Sequence, residues 1–467
     1  MPRERSSAVL GLLSLVTALA LSGCSQTAVA PPVLSLAAEP PAGAPAATDW
    51  PQWRGIGRDG RSAETGLLAE WPESGPPLAW KSGGLGGGYS SVAVAGERIF
   101  TMGDLGDGQY VMALSRTDGE WLWKTRVGET HEHEYLGPRS TPTVDGDRIY
   151  VVTTDGDVVC LAAASGEKQW SRSLPQEFGG RMMKAMGTYE WKFSESPLVD
   201  GDRLIVTPGA NDAAVVALDK SSGEELWRAT IPELGEAGAD GAGYSSVVVS
   251  EAGGVRQYVQ LIGRGLIGVE ATTGRFLWGY NRVANNVANI ATPLIHDDLV
   301  FASTGYGTGA VLVRLAAEGD GIRAEEVYFL EADTMQNHHG GLILDGGHVY
   351  TGTGHNKGFP LAVELATGEV AWGPIRNDGQ NSAAVAYADG RIYMRYQNGL
   401  MVLVEATPEQ YRERGSFMIP EVEKESWAHP VVAGGKLYLR EQDNLWVYDV
   451  RAAAREAAVS GARVGSP

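Results

Sequence analysis

The chain has 467 residues, 43% of them hydrophobic, with 38 Lys and Arg against 57 Asp and Glu, a formal net charge of −19. This acidity argues against nucleic acid as a partner, because phosphate binding requires clustered positive charge, and against adsorption to an anionic membrane surface. The two cysteines, Cys24 and Cys160, exclude a disulfide framework and a cysteine-based metal centre, and we predict no metal site.

The N-terminus has the features of an export signal. Arg3 and Arg5 precede an apolar run at 8–21, which is too short for a comfortable membrane span. The run ends in Leu-Ser-Gly-Cys at 21–24, which resembles the bacterial lipobox, whose cysteine becomes the lipidated first residue. We therefore predict a signal peptide at 1–23 and lipidation of Cys24. Because the next residue is Ser25 rather than Asp, we expect the anchor on the periplasmic side of the outer membrane.

Residues 24–48 are rich in Ala and Pro and lack hydrophobic periodicity, which is typical of an extended tether. We expect the lipid to be the only contact of this protein with the membrane. Residues 452–467 are predicted to form a flexible C-terminal tail.

Residues 49–451 repeat one pattern, in which a turn glycine is followed four residues later by a tryptophan. Glycine supplies the positive φ of a tight turn, and the flat indole can fill the space between neighbouring sheets. These tryptophans are therefore interpreted as structural. The five pairs are Gly119 and Trp123, Gly166 and Trp170, Gly223 and Trp227, Gly274 and Trp278, and Gly368 and Trp372.

Eight strand starts with small residues recur at intervals of roughly 45–50 residues, the range of four-stranded propeller blades. Units five and seven lack the Gly–Trp turn. The eighth unit ends at 445–450 without an outer strand, whereas a spare strand with a tryptophan precedes the first unit at 78–81. The pattern predicts an all-β, eight-bladed β-propeller of four-stranded antiparallel blades, closed by the N-terminal strand.

These turns, with Trp-Pro-Gln-Trp-Arg-Gly at 50–55 and Arg-Asp-Gly at 58–60, resemble the PQQ-binding-like β-propeller repeat proteins. The lipobox followed by eight such blades is also similar in architecture to the BamB family of outer-membrane assembly lipoproteins. The first resemblance implies pyrroloquinoline quinone (PQQ) with Ca²⁺ as a candidate cofactor. The second implies a protein partner, although fold alone does not determine function.

In such blades the connections from strand D to strand A and from B to C share one face of the ring. We predict that this axial face binds a protein partner or a small ligand, and we assign no catalytic residue. The candidate ligand-binding residues are Tyr89, Arg139, Lys192, Glu195, Tyr244, Arg264, Asn289, Tyr306, His338, His339, His355, Asn381 and His429.

Two functions remain open. The first is a non-catalytic binding or scaffold protein of the cell envelope, with outer-membrane protein assembly as one setting. The second is a PQQ-dependent alcohol or sugar dehydrogenase, which by resemblance would carry adjacent cysteines over the quinone, a Glu-Asn-Asp calcium set and an Asp base. This sequence has no cysteine pair, and carboxylates on the axial face are few, with Glu195 the best candidate. The non-catalytic function is therefore favoured. We expect a monomer, because a closed propeller needs no partner for stability.

Overall fold

The structure is a computed structural model that describes residue 46 and residues 48–452, except residues 132, 133 and 188. The predicted signal peptide, the predicted lipidation residue Cys24, most of the predicted tether and nearly all of the predicted tail lie outside the described residues. The one α-helix of the described part, α1, spans Leu174–Phe178. No helix among these residues is long and apolar enough to cross a membrane.

The described residues form eight four-stranded antiparallel sheets, which confirms the predicted propeller. A first strand, β1 (Leu78–Ser82), precedes the first blade. Blades one and two contain β2 (Ala93–Ala95), β3 (Arg98–Asp104), β4 (Gln109–Ser115), β5 (Trp121–Gly128), β6 (Thr143–Asp145), β7 (Arg148–Val152), β8 (Asp157–Ala162) and β9 (Lys168–Ser173). Blades three and four contain β10 (Leu198–Asp200), β11 (Arg203–Val206), β12 (Val215–Asp219), β13 (Glu225–Ala229), β14 (Val248–Ser250), β15 (Gln257–Ile262), β16 (Gly265–Glu270) and β17 (Phe276–Tyr280).

The second half of the ring repeats this order. Blades five and six contain β18 (Leu294–His296), β19 (Leu299–Thr304), β20 (Gly309–Glu318), β21 (Gly321–Glu331), β22 (Ile343–Asp345), β23 (His348–Thr353), β24 (Phe359–Glu364) and β25 (Val370–Trp372). Blades seven and eight contain β26 (Ala383–Ala388), β27 (Arg391–Tyr396), β28 (Leu400–Glu405), β29 (Glu413–Met418), β30 (Val431–Ala433), β31 (Lys436–Glu441) and β32 (Asn444–Asp449). The first strand of each blade is innermost and largely buried.

The two ends of the chain close the ring, as predicted. Strand β1 pairs antiparallel with β32, with Lys81 opposite Trp446 and Ser82 opposite Leu445, and so becomes the outer strand of blade eight. The last blade therefore has the same four strands as the others, and its outer strand comes from the other end of the fold. Closure of this kind leaves no open sheet edge between the first and last blades.

The turn glycines lie directly against the aromatic residue of the preceding blade. Gly119, at φ 76°, packs on the ring of Trp80, and Gly166, at φ 74°, packs on Trp123. Trp170 and Trp227 take the same position against the next two glycines. In blade five, which lacks the Gly–Trp turn, Tyr328 packs on the turn glycine of blade six instead. Five of the eight seams between blades thus depend on a glycine for both its dihedral angle and its lack of a side chain.

The Gly119→Ala substitution is expected to lower the free energy of unfolding by about 2–4 kcal/mol, since a Cβ there would lie 2.5 Å from the Trp80 ring and would also impose a left-handed backbone on alanine. Gly96→Ala is the matched control, because Gly96 has φ 54° and a Cβ added there would meet nothing within 4 Å. The control isolates the backbone cost of about 1 kcal/mol. Urea unfolding of both variants measures the difference, and equal losses would show that the Trp80 contact does not matter.

The inner strands are joined around the ring by side-chain hydrogen bonds at the strand starts. The amide of Ser91 donates to Thr141 Oγ1, that of Thr141 to Ser196 Oγ, and that of Ser196 to Ser246 Oγ. Ser91 Oγ donates back to the carbonyl of His429 in blade eight. The Ser and Thr residues of these starts therefore join blades eight, one, two, three and four in sequence, which gives a physical reason for their recurrence.

Residues 50–61, here called the plug, cross the centre of the ring. Trp50 of the plug exchanges backbone hydrogen bonds with Val94 of blade one. The plug carbonyls of Gly60 and Pro51 accept from the amides of Tyr387 in blade seven and Val144 in blade two. These partners lie towards the later ends of the inner strands, away from the strand starts. The Arg58 guanidinium donates to the carbonyls of Ser196 and Pro197 at the start of blade three. Blade three lies across the eight-bladed ring from blade seven, so the plug spans the central channel.

Candidate functional site

A cavity of about 240 Å³, the axial pocket, opens at the strand starts above the plug. Its walls come from the connections that enter the inner strands and from the turns between the second and third strands. Seven of its 22 lining residues are Trp or Tyr: Trp53, Tyr89, Tyr135, Trp191, Tyr244, Tyr306 and Trp427. The pocket is therefore a concave site with flat apolar walls and few charges.

The plug supplies the floor of this pocket. The Trp53 indole nitrogen donates to Thr292 Oγ1 at 2.9 Å, and the Trp53 ring lies 4.5 Å from the ring of His429. The guanidinium of Arg54 donates through Nη2 to the carbonyls of Leu342 and Asp59. Sequence reasoning used the Trp-Pro-Gln-Trp-Arg-Gly motif only as a family marker and did not place it in the site. Its dense Trp and Arg content, without strand periodicity, was the signal available.

Two arginines give the pocket its positive charge. Arg54 is 3% exposed, and burial lowers its pKa to about 10. Arg139 is half-buried, donates to the carbonyls of Tyr135 and Gly137, and lies 5.9 Å from the centre of the Tyr89 ring. Burial also lowers the pKa of Arg139. No Asp or Glu belongs to the described pocket lining, although Glu425 accepts a hydrogen bond from the Tyr89 hydroxyl beside it.

Three of the predicted histidines meet in the pocket. His338 lies between Ser382 Oγ, 2.7 Å from its Nδ1, and the Tyr306 hydroxyl, 2.9 Å from its Nε2. Burial lowers the pKa of His339 and of His429 to about 3, and the pKa of His338 well below its usual value. These imidazoles are therefore neutral near pH 7 and contribute hydrogen-bonding atoms rather than charge.

Seven of the thirteen predicted residues line the axial pocket: Tyr89, Arg139, Tyr244, Tyr306, His338, His339 and His429. His355 stands just outside the lining, with its ring 4.4 Å from those of Tyr306 and His338, and its Nδ1 accepts from the Tyr306 amide. The grouping of strand-start and turn residues on one face thus brings most of the predicted set together.

The other five predicted residues lie elsewhere. Glu195 is buried beneath the strand starts, where it accepts from the Thr207 amide, and burial raises its pKa to about 7. The Asn289 side chain is also buried and donates to the carbonyls of Ile262 and Gly263. Both side chains therefore satisfy backbone groups of the framework.

The remaining three are peripheral. Lys192 has its ammonium 3.8 Å from Asp155, outside the pocket lining. Arg264 forms an ion pair with Asp240 at 2.7 Å and donates to carbonyls of a neighbouring loop. Asn381 is exposed, with φ 61°. Sequence position could assign these residues to a face of the ring but could not resolve their distance from its axis.

The pocket does not suit a calcium-bound quinone. Ca²⁺ requires six to eight oxygen ligands, usually with carboxylates among them, whereas the polar lining here consists mainly of guanidinium, imidazole and hydroxyl groups. The carboxylate of Glu195 is already engaged with Thr207 and Gln260. Among the described residues, no group of three or more His, Cys, Asp or Glu side chains is placed to hold a metal ion.

Comparison with known sequences gives one family and one partial relative. The family model described as "Outer membrane protein assembly factor BamB" matches residues 69–187 and 107–373. The outer membrane protein assembly factor BamB of Xanthomonas campestris pv. campestris is 31% identical over 112 residues, which are 24% of this chain. That match spans 25% of the relative's own length.

Solved structures with the same fold include proteins of two functional groups. BamB of Moraxella catarrhalis has a TM-score of 0.50 and 15% identity, and the alignment covers 74% of this chain and 93% of that one. Quinohemoprotein alcohol dehydrogenase from Comamonas testosteroni has a TM-score of 0.58 and 12% identity, over 86% of this chain and 80% of that one. At such identities the likeness establishes the shared propeller alone.

Proposed function

We propose, from the premise that this chain belongs to the family of the outer membrane protein assembly factor BamB, that it is a non-catalytic binding protein of the cell envelope that serves outer-membrane protein assembly. Its signal peptide at 1–23 would be removed, Cys24 would carry the lipid, and 24–48 would tether the propeller to the periplasmic side of the outer membrane. Its partner would be a protein bound on the axial face.

The observation that carries this proposal is the composition of the axial pocket. Its floor is an arginine and a tryptophan from the plug, and its described lining contains no carboxylate. A dehydrogenase of this fold would need carboxylates to hold calcium and to accept a proton from the substrate. The donor-rich pocket supports binding rather than oxidation, and PQQ with Ca²⁺ is not assigned to it.

The contact with a protein partner is proposed at the loop that follows α1, beside the mouth of the pocket. Its base is fixed, because Met183 donates its amide to the Ala242 carbonyl and is fully buried. Its tip presents Met186, which is 75% exposed. A flexible thioether on a fixed base suits an adaptable protein contact.

Co-purification tests this function. The full-length lipoprotein is solubilised from membranes and its partners are identified by mass spectrometry; recovery of the outer-membrane barrel-assembly proteins is the expected result. Met186→Asp is expected to reduce that recovery at least fivefold. Met418→Asp, at a methionine 51% exposed on an outer strand, is the matched control and should leave recovery unchanged. Absence of assembly proteins, or calcium-dependent PQQ binding with turnover of an alcohol, would contradict the proposal.

A further inference from the structure

We infer that the axial pocket binds a small aromatic carboxylate, with the carboxylate at Arg54 and the ring between the aromatic walls. This goes beyond the proposed function, because a partner bound at the rim requires no ligand inside the ring. The inference depends on the unpaired atoms of Arg54, on the charge of the pocket, and on the size and shape of the cavity.

The guanidinium of Arg54 has hydrogen-bonding capacity that the described protein does not use. Its Nη2 donates to two carbonyls, but Nε and Nη1 are buried and have no partner among the described residues. Each of these N–H groups is a charge-assisted donor for one carboxylate oxygen; because Nε and Nη1 lie on different edges of the guanidinium, the contact is one-point rather than a bidentate fork. A buried cation with unpaired donors is costly to fold, and a bound carboxylate would offset that cost.

Neighbouring groups extend the same pattern. His429 is 7% exposed, and its Nδ1 is buried without a partner among the described residues, as is His339 Nε2. Arg139 provides a second cation in the wall. The carboxylate whose charge raises the pKa of Arg54 belongs to Asp59 of the plug, and Asp59 does not line the cavity. In a chain of net charge −19, a pocket with two arginines and no lining acid selects an anion.

The size and walls of the pocket limit the rest of the ligand. The volume of about 240 Å³ exceeds the ~150 Å³ cavity that accommodates benzene, so a body of one or two rings is expected. The ring centroid of Trp427 lies 4.7 Å from that of Tyr89 and 4.9 Å from that of His339, and Trp53 lies on the floor of the pocket. Such faces favour stacking on a flat ligand.

Calorimetry on the detergent-solubilised full-length protein tests the inference with three probes: benzoate, indole-3-carboxylate and indole-3-carboxamide. We expect indole-3-carboxylate to bind at least tenfold more tightly than its neutral amide. Arg139→Gln and Arg54→Lys should each weaken the carboxylate at least fivefold. Arg264→Gln, which changes the net charge as Arg139→Gln does but alters a residue outside the pocket, should not weaken it.

Equal affinity for the carboxylate and the amide, or no binding of either carboxylate at millimolar concentration, would overturn the inference. Thermal unfolding of each variant verifies that the propeller is intact. Because the Arg139→Gln variant keeps the rim loop, its recovery of assembly proteins reports on the proposed function separately. If Arg139→Gln loses carboxylate binding but still recovers the assembly proteins, the pocket ligand and the proposed function are separate. If the wild-type protein binds the carboxylate but recovers no assembly proteins, the proposed function fails and the inference stands.

Discussion

Replacing Glu441 by alanine is expected to lower the free energy of unfolding by about 3–5 kcal/mol, the usual cost of removing one partner from a buried ion pair. Glu441 and Arg395 have fully buried side chains, with 2.7 Å between Glu441 Oε2 and Arg395 Nη2. Arg395 belongs to β27 of blade seven and Glu441 to β31 of blade eight. The substitution would therefore leave an unpaired guanidinium inside the seam between these blades.

Glu405→Ala provides the control, because Glu405 also pairs with arginines of blade seven but has a partly exposed side chain. Exposed pairs contribute about 0–1 kcal/mol. Chemical unfolding at pH 7 measures both variants. A loss below about 1 kcal/mol for Glu441→Ala would contradict the prediction, whereas recovery of stability in Arg395→Met/Glu441→Leu would attribute the loss to the unpaired charge rather than to lost volume.

Acidification from pH 7 to pH 5 is expected to destabilise the propeller by several kcal/mol. The folded state depresses the pKa of His339 and His429 to about 3 through burial, against an ordinary value of 6.5. Between these values the unfolded chain binds more protons, so stability is complete above pH 6.5 and is lost as the pH falls. For His429 alone the loss by pH 5 is about 2 kcal/mol. Urea unfolding across this range measures it.

Glu195 acts in the opposite direction and so provides the test of sign. Its folded pKa is raised to about 7 by burial, above the ordinary 4.5, so its contribution to stability increases as the pH falls through this window. Glu195→Gln removes that gain and should make the acid loss steeper. His429→Gln should make the loss shallower. The same slope in all three proteins would refute these assignments.

The sequence was sufficient for the propeller because its signals are local and repeated. The five glycines before the tryptophans lie at positive φ and pack against an aromatic ring of the preceding blade. The Gly–Trp spacing therefore predicts both the turn within a blade and the contact between blades. The spare strand at 78–81 predicted closure because an unpaired edge had to be completed. These features follow from short-range geometry that every blade repeats.

The site was only partly predictable because its geometry depends on distance from the ring axis. Lys192 and Tyr244 occupy similar places in the repeat, yet Tyr244 lines the pocket and Lys192 turns towards Asp155. Asn289 was predicted to bind ligand, but its side-chain amide donates to the backbone carbonyls of Ile262 and Gly263. The plug arginine Arg54 was missed because its role arises from a crossing of the ring that no local pattern indicates.

The pairing of β1 with β32 also has a consequence for biogenesis. Blade eight cannot be completed until the last strand, at Asn444–Asp449, has been synthesised, so the ring stays open until the end of synthesis. Pairing over so long a sequence separation is slow. Until β32 forms, β1 and the edge of the incomplete blade eight expose unpaired backbone groups. The nascent chain is therefore exposed to proteases and to other strands until its final blade arrives, and a product cut short before β32 should be degraded rather than retained.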